Sequence, residues 1–144
     1  MKKLFGVAAI SAAFVLGFFA RGVVPGEPVA HAQGARVFEL RTYTAPEGKL
    51  GELHARFRNH TLRIFKKHGM ENVAYFAPQD APLSQNTLVY LLAHSSREAA
   101  KQSWAAFAKD PEWQKVANDT QVNGKIVAKV ESVFLDPTDY SPMK

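Results

Sequence analysis

The segment Val37–Thr44, which reads VFELRTYT, constrains the fold of this chain more than any other stretch. Its alternation is typical of a β-strand, in which successive side chains point to opposite faces. Glu39, Arg41 and Tyr43 share one face, and the other face is mainly apolar. One side of this strand therefore packs on a core, and the other carries a carboxylate, a guanidinium and a phenol that need partners.

Hydrophobic spacing and turn residues divide the following chain into five further elements. Apolar side chains recur every three or four residues over 47–68, which predicts a long helix that ends at Gly69. Its opposite face is basic, and Arg56 on that face can pair with Glu52 one turn earlier. Strands are predicted at 71–77, 87–94 and 125–135, and a second helical region is predicted between the last two strands.

Two capping patterns define the second helical region. Ser95 is followed three residues later by Glu98, which is the spacing of a capping box at a helix start. Asp110 and Pro111 then form a second start, with an aspartate cap and a proline at the first helical position. Trp104 and Phe107 lie on the inward stripe of the helix between these patterns. We interpret them as core residues rather than as a stacking platform.

The order β-α-β-β-α-β within about 100 residues predicts a ferredoxin-like α+β fold. Its four-stranded antiparallel sheet would have the strand order 4-1-3-2, with both helices on one face and Val37–Thr44 in the centre. The polar face of a central strand requires a cover, and we expect a second sheet packed face to face. Cross-strand pairs such as Arg41 with Glu131 would then satisfy its charges.

The first 32 residues have the pattern of an export signal. Lys2 and Lys3 precede an apolar run over residues 4–20, and Ala30-His31-Ala32 has the small-x-small form of a cleavage site. We predict cleavage after Ala32 and a periplasmic or secreted protein, with an uncleaved membrane anchor as the alternative. The chain then divides into a linker at 33–36, a domain at 37–136 and a C-terminal tail at 137–144.

Composition excludes several classes of function. The whole chain has 18 Lys and Arg against 13 Asp and Glu, and residues 1–32 contain three of the former and one of the latter. The remaining 15 cations and 12 carboxylates give a net charge of only +3, so no nucleic-acid partner is predicted. The absence of cysteine excludes disulfides, thiolate catalysis and covalent haem. No histidine has a recognised metal-ligand spacing, and we predict neither a metal site nor a cofactor.

Several motifs in register resemble the NIPSNAP family of the dimeric α+β barrel superfamily. They cover residues 37–143 and are Glu39-Leu40-Arg41-Thr42-Tyr43, Gly48-Lys49, His60, Lys67-His68-Gly69, Asp110-Pro111-Glu112-Trp113, Phe134-Leu135 and Pro142. The resemblance implies a homodimer through the sheet, in which two sheets meet in a barrel with the helices outside. It implies no established reaction, and the fold alone does not select one.

The candidate site residues are Glu39, Arg41, Tyr43, His60, Tyr75 and Trp104. We interpret the first three as dimer-interface residues that become ligand contacts only if a pocket reaches them. His60 lies at the edge of the helical stripe, either as a hydrogen-bonded core residue or as a proton shuttle. Tyr75 and Tyr90 are candidates to line a pocket between strands and helices.

Three classes of function are compatible with these candidates. The first is an exported dimeric module that binds a small apolar or aromatic molecule. The alternative is a cofactor-independent monooxygenase or isomerase acting on a small aromatic or carbonyl compound. In that enzyme His60 would move a proton, Arg41 and Tyr43 would hold an oxygen, and Trp104 would form a pocket wall. A third class, a haem enzyme, would need His60 or His94 facing a large pocket.

Overall fold

The computed structural model of the protein describes residues 36–144. The predicted export signal, its cleavage site and most of the linker lie outside these residues. None of the helices in the described part has the length and hydropathy needed to cross a membrane. The elements in chain order are β1 (Val37–Thr44), α1 (Leu50–Arg56), a π-helical turn (Phe57–Thr61), α2 (Leu62–Lys67), β2 (Glu71–Phe76), a short 3-10 turn (Leu83–Gln85), β3 (Thr87–His94), α3 (Arg97–Lys109), α4 (Pro111–Asp119) and β4 (Lys129–Leu135).

The four strands form one antiparallel sheet in the order β2-β3-β1-β4, which confirms the predicted 4-1-3-2 arrangement. The chain thus has the ferredoxin-like α+β fold. Strand β4 begins at Lys129 rather than at residue 125. Before the strand, the Ile126 side chain is fully buried in the core, and the amide of Ala128 donates to the carbonyl of Thr44 at 2.8 Å.

The polar face of β1 lies against helix α3 of the same chain, so the predicted cover by a second sheet is wrong. Trp104 of α3 donates a hydrogen bond to Glu39, which is buried with 1% exposure. Arg41 is opposite Ser132 in the β1–β4 register, whereas Glu131 points to the other face and pairs with Lys129. The predicted Arg41–Glu131 pair is therefore also wrong. Hydrogen-bond partners within the domain satisfy the Glu39 carboxylate: Arg41, His94, Trp104 and Ser132.

The other face of β1 is the one without helices. Leu40 on this face lies directly between Leu91 of β3 and Val133 of β4. Val133 is 54% exposed, although it is an apolar residue on a strand. Nearer the chain end, the C-terminal tail approaches the same face, where Pro137 and Met143 line a small cavity with Phe38. The part of this face around Leu40 and Val133 is apolar and open in the single chain, and the Lys129–Glu131 ion pair lies beside it.

The predicted 47–68 helix contains a π-helical turn in its middle. Residues Phe57–Thr61 have the i to i+5 backbone hydrogen bonds of a π-helix. The Thr61 hydroxyl donates to the carbonyl of Arg56 at 3.3 Å. Such turns insert an extra residue into a helix and are frequent at functional sites. Here the turn brings Phe57 and Thr61 into the core while both helical segments keep their buried faces.

Helices α3 and α4 begin at the predicted caps, with one correction. The cap of α3 is Ser96, whose hydroxyl accepts from the amide of Ala99, and not Ser95. Asp110 caps α4 as predicted, with Pro111 at its first position. The Asp110 carboxylate also contacts Lys67 and His68, and this joins the end of α2 to the start of α4.

Candidate functional site

The polar face of β1 forms the centre of a buried hydrogen-bond network. Both carboxylate oxygens of Glu39 have hydrogen-bond partners. Ser132 and Arg41 donate to one oxygen, each at 2.6 Å, while Trp104 at 2.7 Å and His94 at 3.0 Å contact the other. The alternation of β1 and the cross-strand register bring these side chains together from four separate elements.

Burial and hydrogen bonding act in opposite directions on Glu39. Burial disfavours the charged carboxylate and raises its pKa. The hydrogen bonds from His94, Ser132, Trp104 and Arg41 favour the charged form, and together they lower the pKa of Glu39 from 4.5 to about 2. Glu39 is therefore an ionised structural acceptor at neutral pH and not a general acid.

Arg41 is held by an ion pair and by aromatic rings. Its guanidinium lies 4.1 Å from the centre of the Trp104 ring and 5.6 Å from that of Tyr43. Burial lowers the pKa of Arg41, but the nearby tyrosines and the Glu39 carboxylate raise it well above its usual value. Its Nε is sealed from solvent and has no hydrogen-bond partner among the described residues. Arg41 thus keeps its charge, and Glu39 neutralises it.

Beside Arg41 lies a cluster of aromatic side chains centred on Tyr90. The Tyr90 ring stacks on Tyr75 at 5.4 Å and meets Tyr43 and Phe57 at 5.2 Å each. Burial raises the pKa of both Tyr75 and Tyr90, so each is a neutral phenol. Tyr75 donates to Asn72 at 2.5 Å, and the hydroxyl of the fully buried Tyr90 lies beside Tyr43 and Arg41.

Arg56 carries a second buried guanidinium near the aromatic cluster. It is 5% exposed and lies 5.1 Å from the ring centre of Trp113. The sequence interpretation placed it on a solvated basic face with Glu52, but Glu52 pairs with Lys49 instead. Burial lowers the pKa of Arg56, and Tyr43 and Tyr90 are the neighbours that act against this effect.

A separate cavity opens beside the aromatic cluster, between α1, α2 and the end of the β2–β3 pair. Its volume is about 310 Å³, which is within the size range of small-molecule sites. Phe57 and Tyr75 line this cavity and also contact the ring of Tyr90, which does not line it. The lining is mainly apolar, with polar side chains from α1 and the π-helical turn, and consists of His54, Phe57, Arg58, Leu62, Tyr75, Phe76, Ala77 and Leu88.

The structure brings together most of the predicted site residues. Glu39, Arg41, Tyr43 and Trp104 share one network, but as residues of the chain's own interior, so their interpretation as interface residues is wrong. Tyr75 lines the neighbouring cavity. His60 is half-buried in the π-helical turn and does not belong to the hydrogen-bond network of Arg41 in the described part of the chain.

Three important residues were not identified as site residues from the sequence. His94 was considered only as a haem ligand, and its Nε2 is engaged by Glu39. Ser132 was not considered, and no sequence signal distinguishes it from other strand serines. Arg56 could have been found, because it is three residues after Leu53 and next to Phe57 and thus falls within the apolar stripe. No group of three or more candidate metal ligands occurs within residues 36–144.

Solved structures with the same fold support this architecture. A NIPSNAP family protein of unknown function from Agrobacterium tumefaciens is 24% identical, with a TM-score of 0.67 over 79% of this chain and 98% of its own. A NIPSNAP-like domain protein from Burkholderia xenovorans is 21% identical, with a TM-score of 0.65 over 76% of this chain and 90% of its own. A putative antibiotic biosynthesis monooxygenase from Nitrosomonas europaea is 15% identical, with a TM-score of 0.53 over 77% of this chain and 98% of its own.

These identities are low, and the likeness therefore establishes the fold alone. No functionally curated protein matches the chain significantly. The sequence profile of the NIPSNAP family, however, matches residues 38–142, which include every described strand and helix except the first residue of β1. The chain therefore belongs to the NIPSNAP family.

Proposed function

We propose that this protein is an exported, homodimeric module that binds a small aromatic molecule in the cavity beside Phe57. The observation that carries this proposal is the cavity itself, about 310 Å³ in volume and lined mainly by aromatic and aliphatic side chains. Apolar pockets of this size with a few polar groups at their edge are typical ligand sites. Tyr75 supplies a ring that is already fixed by its stacking on Tyr90.

The enzymatic alternative has less support from the geometry. The Nitrosomonas structure is named as a monooxygenase. Oxygenation of an aromatic compound would need a group beside the substrate that moves a proton. Glu39 is held ionised and fully hydrogen-bonded, and His60 is not part of the cavity lining. His54 does line the cavity, but no hydrogen bond within residues 36–144 orients its ring for proton transfer. Binding without chemistry is therefore the function that we favour.

Binding in the cavity is tested with N-phenyl-1-naphthylamine, a neutral apolar fluorophore. We expect its fluorescence to increase on titration with the wild-type protein, because the apolar lining removes the dye from water. Ala77→Trp should weaken binding by about tenfold or more, because the indole fills part of the cavity. Ala106→Trp adds the same side chain at an exposed position of α3 and should bind the dye as the wild type does. Equal affinity of all three proteins would contradict the proposal.

The proposed dimer uses the sheet face without helices. Leu40, Leu91 and Val133 form an apolar row across three strands of this face, and the exposure of Val133 leaves it available to a second copy. Burial of apolar surface is the main driving force for such association. The barrel that the family resemblance implies would form when two of these faces meet.

Sedimentation velocity provides a test with a closely matched control. Val133 and Val130 are on the same edge strand, are 54% and 45% exposed, and point to opposite faces of the sheet. We expect Val133→Glu to be monomeric, because it places a charge in the apolar interface, and Val130→Glu to remain dimeric. A monomeric wild-type protein, or dissociation by Val130→Glu alone, would exclude this interface.

A further inference from the structure

Arg56 is a buried cation without a counter-ion. Within residues 36–144 its guanidinium makes no hydrogen bond or ion pair, and its Nε is sealed from solvent without a partner. An isolated charge in a protein interior is strongly unfavourable unless it is paired and hydrogen-bonded. The ring of Trp113 provides a cation–π contact but accepts none of the guanidinium hydrogen bonds.

The nearby carboxylates are already engaged. Glu39 neutralises Arg41 on the sheet side of the aromatic cluster. On the helix side, Glu52 pairs with Lys49, and Glu112 pairs with Arg63 and Lys67. The excess positive charge at Arg56 therefore has no obvious protein partner in the described chain.

Tyr90 does not supply a partner for Arg56. Its hydroxyl is completely buried and lies beside Arg41 and Tyr43. Buried unsatisfied polar groups in native proteins call for an explanation such as an unseen ion or ligand.

We infer that Arg56 is the anchor of a binding site for a small organic monocarboxylate. One uncompensated guanidinium matches one negative charge. Its planar fork also fits the two oxygens of a carboxylate, and the aromatic neighbours favour an organic anion over a strongly hydrated one. Only Nε is sealed from solvent, so a small ligand can reach the terminal nitrogens of Arg56. This site is distinct from the cavity beside Phe57, and neither proposal depends on the other.

The site is tested with acetate as the probe and acetamide as its neutral counterpart, at constant ionic strength and low chloride. We expect the melting temperature of the wild-type protein to rise with the logarithm of acetate concentration, because a ligand that binds only the folded state stabilises it. Acetamide should have no such effect. The fluorescence of Trp113, next to Arg56, should change over the same acetate range.

Three variants separate this site from a structural role of Arg56. Arg56→Met should lose the acetate response and, without acetate, melt at least as high as the wild type, because it removes an unpaired buried charge. Arg56→Lys should keep the response with about tenfold or weaker affinity, since it loses the bidentate fork. Arg97→Met removes an exposed guanidinium that also stacks on a ring, that of Phe134, and should respond as the wild type does.

Two results would overturn the inference. The first is an acetate response that is the same in Arg56→Met as in the wild type, which indicates a general salt effect or another anion site. The second is a low melting temperature of Arg56→Met without acetate, which indicates a structural arginine.

Discussion

Replacing Glu39 with glutamine is expected to destabilise the protein by about 3 kcal/mol, the size of effect seen when one partner of a buried ion pair is removed. The substitution keeps the shape of the side chain but removes its charge. Arg41 then has no counter-ion, and the amide nitrogen faces donors that previously met a carboxylate oxygen. Chemical denaturation at neutral pH measures the loss.

Glu131→Gln is the matched control for this substitution. Glu131 lies on the neighbouring strand, is exposed, and within residues 36–144 pairs with Lys129 alone, on the opposite face. Exposed ion pairs contribute at most about 1 kcal/mol, so this variant should unfold close to the wild type. Similar losses in both variants would show that the network around Glu39 is not a principal source of stability.

The same pair of variants should differ in their acid sensitivity. The pKa of Glu39 is 4.5 in its unperturbed state and about 2 in the folded protein. Its ionised form therefore stabilises the fold fully above pH 4.5, and this contribution is lost as pH falls toward 2. The Glu39→Gln variant should show a shallower loss of stability over this pH window than the wild type or Glu131→Gln.

The sequence predicts the order of strands well because local signals are consistent along the chain. The strand Thr87–His94 has the predicted ends, and Asp110 with Pro111 forms the predicted helix start. Each of these signals depends on neighbouring residues. Turn residues, caps and hydrophobic spacing together leave few arrangements of four strands and two helical regions.

The facing of β1 could not be predicted in the same way. Alternation shows that its two faces differ, but it does not show which face the helices cover. A carboxylate on the core side is tolerable here only because Trp104, His94 and Ser132 reach it from 65, 55 and 93 residues away in the chain. No local pattern reveals partners at such separations, and the usual rule of polar residues outside gave the wrong face.

The misplacement of Arg56 has a related cause. A basic residue near Glu52 on a helix is normally solvated, and the two have the spacing of a surface ion pair. Both residues lie in α1, before the π-helical turn, so the turn does not alter their relation. The pairing pattern was given more weight than the position of Arg56 three residues after the buried Leu53.

Replacing Phe57 with alanine is expected to cost about 4 kcal/mol, as is typical for removal of a buried aromatic ring. Phe57 is almost completely buried, and its ring meets those of Tyr43, Phe65, Tyr75 and Tyr90. The vacated volume would adjoin the existing cavity, because Phe57 forms part of the cavity wall. Chemical denaturation gives the loss of stability, and near-UV circular dichroism reports the state of the aromatic cluster.

Phe76→Ala separates the loss of packing from the loss of a cavity wall. Phe76 lines the same cavity but is 55% exposed, so its removal should reduce stability by less than about 1 kcal/mol. Benzene should partly restore the melting temperature of Phe57→Ala, because an apolar void of this kind binds apolar ligands, and should have little effect on Phe76→Ala. If the two variants lose equal stability, the packing of Phe57 in the aromatic cluster does not stabilise the cavity. A large loss in Phe57→Ala without rescue by benzene would instead mean that the cluster collapses into the vacated space. The rescue therefore tests whether the sheet and helices hold this space open without the ring.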